Sequence, residues 1–313
     1  MGSVSLERLR EVVAEIGASG LWPHKATAVV DVDGDERFSR TMLEALLDGV
    51  DDDEFSWPDG IPEQDQDEPD FYLWADRAYA TMAVLAQAVE VGETEVHEGD
   101  LELADAQLYE GDLEVNGSLS LIDSESVLWV TGDLRVEGDL ELEQGVTLMV
   151  LGSVHIKGHW SDYAEWNVAL VLGDVTVRGA LVSSGELFIG RRLHAPLVDL
   201  SYNHGRTVVL GGVSAWLLVE SDHGETRFLG EHEVQLVQLD EGVGLESTPI
   251  DMLLEALRNR LTMPGLDDGE HDDFVDEYEE LEAILEELRA QVQSGEPVLR
   301  GPGEGPLYED GPS

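Results

Sequence analysis

The chain has no cysteine, which excludes disulfides, thiol nucleophiles and thiolate metal sites. Bases are scarce: 17 Lys and Arg stand against 68 Asp and Glu, a net charge of −51. A field of that sign repels nucleic acid and anionic membrane surfaces, so neither is expected as a partner. Long apolar runs are missing, since no stretch approaches the ~20 residues that a bilayer-spanning helix needs. Met1-Gly2-Ser3-Val4-Ser5-Leu6-Glu7-Arg8 lacks the basic-then-apolar order of a secretory leader, and a cytoplasmic location is the expectation. Ser-centred elbows, phosphate loops and His-Glu-x-x-His are absent as well. No enzyme, no catalytic residue and no cofactor are expected.

The acidity has no single seat. Residues 1–89, 90–242 and 243–313 carry net charges of −14, −22 and −15. An acidic, lysine-poor host proteome accounts for such uniformity, and so does a surface suited to a basic partner. Mimicry of nucleic-acid charge is a third reading, because ~35 Å of duplex carries about 20 phosphates.

What is present is a repeated phrase. Gly111-Asp112-Leu113-Glu114-Val115-Asn116-Gly117 recurs over Gly132 to Gly138, Gly152 to Gly158 and Gly173 to Gly179. Weaker copies begin at Arg191, Gly211 and Gly230. A period of about 20 residues, with short apolar runs punctuated by Gly, describes a β-solenoid in which each repeat is one coil. About seven coils are expected over residues 90–243, with Gly at corners that need positive φ. The runs before the Gly, such as Val127-Leu128-Trp129-Val130 and Leu148-Met149-Val150-Leu151, are expected to point alternate residues inward. His159-Trp160-Ser161-Asp162-Tyr163-Ala164-Glu165-Trp166 reads as a corner insertion forming an aromatic surface protrusion.

Helical patterns flank the coils. Residues 1–89 read as an N-terminal cap interrupted by an acidic loop over 48–70, with Phe71 to Val91 as its longest helix. Such a cap is expected to cover the solenoid's open end. Beyond the coils, 244–293 reads as a C-terminal helical segment. Thr248-Pro249-Ile250-Asp251 has the form of a capping box, opening a helix to about Leu261. A second helix over 272–292 carries Phe274, Tyr278, Leu281, Leu285, Leu288 and Val292 at heptad spacing. That stripe either packs on the solenoid or mediates self-association. Residues 294–313, rich in Gly and Pro, read as disordered.

One column of corner residues stands out. Ser183-Ser184-Gly185, Asn203-His204-Gly205, Asp222-His223-Gly224 and Asp240-Glu241-Gly242 follow one another once per repeat. His204, His223 and Glu241 are therefore stacked candidates for a divalent metal, although a plain turn ladder explains the same column. With Tyr202 beside them, Asn203, His204, Asp222 and His223 are candidate partner-binding residues. Trp160 and Trp166 of the protrusion join them.

The Gly-Asp-Leu-x-Val-x-Gly phrase resembles that of bactofilins, polymer-forming bacterial cytoskeletal proteins. The resemblance covers about residues 99–242, and it implies a right-handed β-helix core and a scaffold that polymerises through coil ends. The helical flanks depart from that pattern, as do the Tyr202-Asn203-His204-Gly205 and Ser221-Asp222-His223-Gly224 corners. The expectation is therefore a mainly β, single-stranded solenoid with helical caps that binds a basic protein partner, for instance as a stoichiometric inhibitor or immunity-type protein. A bactofilin-like scaffold is the alternative, with self-association through coil ends or helix 272–292.

Overall fold

The computed structural model describes residues 92–295 except 124–125, 144, 165, 201–205, 221–224, 229, 240–246 and 261–276, together with Ala86. The proposed N-terminal cap, its acidic loop and most of the C-terminal tail lie outside the described residues.

Each repeat folds as three short strands joined by corners. The first turn is β1 (Glu95–Glu98), β2 (Leu101–Leu103) and β3 (Gln107–Tyr109). The second is β4 (Leu113–Asn116), β5 (Leu119–Leu121) and β6 (Val127–Val130), and the third β7 (Leu134–Val136), β8 (Leu140–Leu142) and β9 (Thr147–Val150). The fourth is β10 (Val154–Ile156), β11 (Trp160–Asp162) and β12 (Val168–Val171), and the fifth β13 (Val175–Val177), β14 (Ala180–Ser183) and β15 (Glu186–Ile189). The sixth is β16 (Leu193–His194), β17 (Leu197–Asp199) and β18 (Arg206–Val209).

Every strand pairs in parallel with its counterparts one turn before and after, so three parallel stacks enclose one core. The first stack runs through β1 and β4 to β16, the second through β2 and β5 to β17, and the third through β3 and β6 to β18. The chain is thus a mainly β solenoid of about six turns, flanked by two helices on its C-terminal side. The count falls short of seven because the next repeat merges its first two sides into one strand, β19 (Val213–Glu220), which pairs with both β16 and β17. After it, β20 (Glu225–Phe228) extends the third stack, and β21 (Glu233–Leu239) lies along β19.

The Leu-x-Val and Leu-x-Leu phrases place their apolar residues inward. Leu113, Leu134, Val154, Val175 and Leu193 form one such column, all 0 % exposed. Corner glycines are needed for a reason other than the expected one. Of the glycines in the four strong copies, Gly111 alone has positive φ, at 143°. The others sit where successive turns touch. A Cβ on Gly132 would lie 2.6 Å from the Gly111 carbonyl carbon, and one on Gly173 2.6 Å from that of Gly152.

The residue after the glycine supplies an acceptor. Asp133 N donates to Asp112 Oδ1 at 2.8 Å, Ser153 N to Asp133 Oδ1 at 2.9 Å, Asp174 N to Ser153 Oγ at 3.1 Å and Arg192 N to Asp174 Oδ1 at 2.9 Å. A second corner repeats the device from Asp100 through Ser118, Asp139 and His159 to Ala180. Each short polar side chain satisfies an amide that the corner turns out of the sheet. Part of the chain's acidity is therefore corner chemistry.

Two helices complete the described residues: α1 (Ile250–Arg260) and α2 (Glu277–Gln293). They cover the C-terminal half of the second stack. Outward positions there change from Glu102, Ser120 and Glu141 to Val182 and Val219, and the latter join Leu253, Leu257, Leu281, Leu285, Leu288 and Val292 in one cluster. The α2 stripe thus packs on the solenoid. Thr248 does not act as the expected capping box. Its hydroxyl accepts from Val237 N at 3.0 Å, and its own N–H donates to Val237 O at 2.7 Å, so it closes the free edge of β21.

Candidate partner-binding face

The structure corrects the reading of 159–166 as a protrusion. His159 is 7 % exposed and Trp160 is 0 % exposed, with Trp160 stacked inward between Leu140 and Leu181 in a regular turn. A side chain enclosed there has no surface to offer a partner. Trp166 is half-buried at the following corner. Tyr202, Asn203, His204, Asp222, His223 and Glu241 lie outside the described residues, and so does the metal column built on them. Among the described residues no group of three metal-ligating side chains converges.

The aromatic segment instead anchors a buried polar cluster. Asp162, at an inward position and fully buried, accepts from Asn167 Nδ2 at 2.6 Å and from Ser183 Oγ at 3.1 Å. Asn167 in turn accepts from Val146 N and donates to Leu142 O, tying three turns together. Burial pushes the Asp162 carboxyl up to about 6, against the lowering effect of hydrogen bonds from Asn167, Ser183 and the backbone at Ala164 and Gly185. The cluster holds the core closed and offers no opening to a substrate.

Beside it, Tyr163 fastens α2 to the solenoid. Its hydroxyl donates to Arg289 O at 2.9 Å, and burial, then the charge of Asp199, raises its pKa. Arg289 Nε donates to Asp199 Oδ2 at 2.7 Å, with the Asp199 side chain wholly buried.

A long open face remains on the first stack. Its outward positions align one per turn: Glu114, Arg135, His155, Thr176 and His194, about 4.8 Å apart. A parallel row along the corner brings in Glu137, Lys157 and Arg178, all exposed. Arg135 meets Asp112 and Asp133, and Lys157 meets Glu137. Among the described residues Arg178 and Arg191 have no ion-pair partner. Burial, then the neighbouring Arg192, lowers the His194 pKa, which keeps that ring neutral at physiological pH.

Five of the 17 bases, Arg135, Lys157, Arg178, Arg191 and Arg192, thus border this face, which is acidic at its two ends through Glu98 and Glu233. Sequence reading missed the face because these bases, most of them a turn of chain apart, look scattered until the repeat stacks them.

Stacked parallel strands, corner ladders and an enclosed core make this a β-helix repeat protein. Comparison with known proteins finds no family model, no curated protein and no solved structure that the chain matches. No helix among the described residues is long and apolar enough to cross a membrane.

Proposed function

We propose that the protein is a non-enzymatic, non-polymerising solenoid that binds a protein partner across its first face. The observation carrying this reading lies at the N-terminal end of the stack. Inward positions that hold Leu113, Val115, Leu128 and Val130 in the second turn hold Glu95, His97, Gln107 and Tyr109 in the first. Atypical polar end turns are how solenoids avoid stacking on one another. The opposite end is blunted by Thr248 on β21.

Binding then falls to the lateral surface. The net charge of −51 steers a basic partner at long range, while the mixed Arg, His and Glu rows supply local register. A stoichiometric inhibitor of the immunity type fits this design. A polymer-forming scaffold of the bactofilin type is the second reading, favoured by the repeat phrase.

Light scattering on size-separated protein separates the two. A monomer or small closed oligomer from micromolar to near-millimolar concentration, at physiological and at molar salt, supports the binding reading. Growth into rods, easier at high salt where acidic ends repel less, overturns it. Pull-down at physiological salt then compares wild type with His155→Glu/Arg178→Glu. A stoichiometric partner retained by the first and lost by the second places binding on the first face; equal retention removes it from there.

A further inference from the structure

The third stack carries a feature that neither the corners nor the partner face explains. Its outward row, one residue per turn, is Leu108, Trp129, Met149, Leu170, Phe188 and Val208. On the first stack the equivalent row is polar and open. Here five of the six are 0–5 % exposed, and Leu108 at the N-terminal end is 37 % exposed. None of the six belongs to the inward core or to the cluster under α1 and α2, which lies on the second stack. A continuous apolar run in a strand means burial on both faces of the sheet. Such a row calls for a cover on its outer side.

Several observations select that cover. The chain enters the solenoid at Gly92, packed against Glu110 and Gly111, the corner where the third side ends. The segment ahead of it therefore starts beside this face. Residues 71–91 place Phe71, Trp74, Ala78, Met82, Leu85 and Val89 on one helical stripe, with Asp76, Gln87 and Glu90 off it. As a helix they span about 31 Å, ample for the roughly 19 Å from the Trp129 rung to the Val208 rung. Ala86, the one described residue of this stretch, is helical and half-buried. At the far end of the row Arg206 stacks over Phe188 at 5.2 Å.

We propose that residues 71–91 form an amphipathic helix laid along the third side, its Trp74–Val89 stripe against the Trp129–Val208 row. The segment is then a lateral strap, not a plug over the open end, and with α1 and α2 on the second side it leaves the first face as the surface for a partner.

The absence of cysteine makes the test direct. In the full chain, Met149→Cys is combined in turn with cysteine at stripe positions 74, 78, 82, 85 and 89 and at off-stripe positions 76, 87 and 90. A disulfide needs Cα atoms within about 7 Å. Intramolecular bonds on mild oxidation, confined to one or two stripe positions, are the expected result. Bonds at no position, or equally at off-stripe positions, overturn the proposal, and bonds between molecules overturn it by assigning the row to a second copy. Amide exchange on the unmodified chain decides independently of any variant's folding. Protection over 71–91 of about a hundredfold or more above a free peptide is expected for a packed helix, and unprotected exchange overturns the assignment. Neither outcome depends on the oligomeric state or partner that the functional reading requires.

Discussion

At the scale of single residues, the glycines divide by cause, and the division is measurable. Gly173 has an ordinary backbone but no space, because the carbonyl carbon of Gly152 sits 2.6 Å from where a Cβ would be. Stacked backbone cannot give way, so Gly173→Ala should lower stability by about 2–3 kcal/mol. Gly99 has open space around its Cβ position and a φ of +87°, so Gly99→Ala should cost only about 1 kcal/mol. Chemical denaturation midpoints test the order, and a larger loss at Gly99 would contradict the close-approach account. Asp162 gives a pH signature. Its carboxyl titrates near 3.8 unfolded and about 6 folded, so the folded chain holds the proton more tightly. The stabilisation this supplies is complete below about pH 4, fades as pH rises through about 6, and is gone above. Wild type minus Asp162→Asn stability should fall over that window at up to about 1.4 kcal/mol per pH unit. Parallel profiles for the two proteins would remove Asp162 as the titrating group.

At the scale of elements, α2 is held by an apolar seam, the Tyr163 hydrogen bond and a buried ion pair, and the seam and the ion pair can be separated. Removing Arg289 alone leaves the Asp199 carboxylate enclosed without its guanidinium, a loss of about 3–5 kcal/mol. Arg289→Leu should therefore expose the helix to protease, while Arg289→Leu/Asp199→Leu should recover most of the loss by extending the seam. Failure of the double variant to recover would mean that the pair specifies the docking geometry. This seam was legible in the sequence, since Leu281, Leu285, Leu288 and Val292 repeat at heptad spacing. So was the solenoid, because each turn repeats the same steric and hydrogen-bonding demands at Gly-Asp and Leu-x-Val. Less legible were positions that serve a turn in a neighbouring rung. Trp160 resembles a surface aromatic until its register with Leu140 and Leu181 is known. Trp129, Met149 and Phe188 stand in short apolar runs whose second buried face no period reveals. Thr248 looks like a helix cap, yet its hydroxyl serves the strand edge at Val237.

At the scale of the whole molecule, a stack of near-identical turns has no intrinsic reason to stop, since each added turn buries the apolar face of the one before. On the reading proposed above, composition stops this one at its N-terminal end: the turn that pairs Glu95 with Leu113, His97 with Val115, Gln107 with Leu128 and Tyr109 with Val130 carries groups that prefer water. A second copy stacking there must strip those groups of solvent without partners, at about 1–3 kcal/mol for each polar group left unsatisfied. Replacing the first turn's inward set by that of the second, as Glu95→Leu, His97→Val, Gln107→Leu and Tyr109→Val, removes the penalty and adds an apolar end. The variant should associate end to end with rising concentration in light scattering, while wild type stays at one size. Leu101 and Leu103, already apolar at inward positions of the same turn, complete the surface such an end would present. If the variant remains monomeric at millimolar concentration, composition of the first turn is not what limits the stack. If it forms rods, four side chains separate a partner-binding solenoid from a polymer-forming one built on the same repeat.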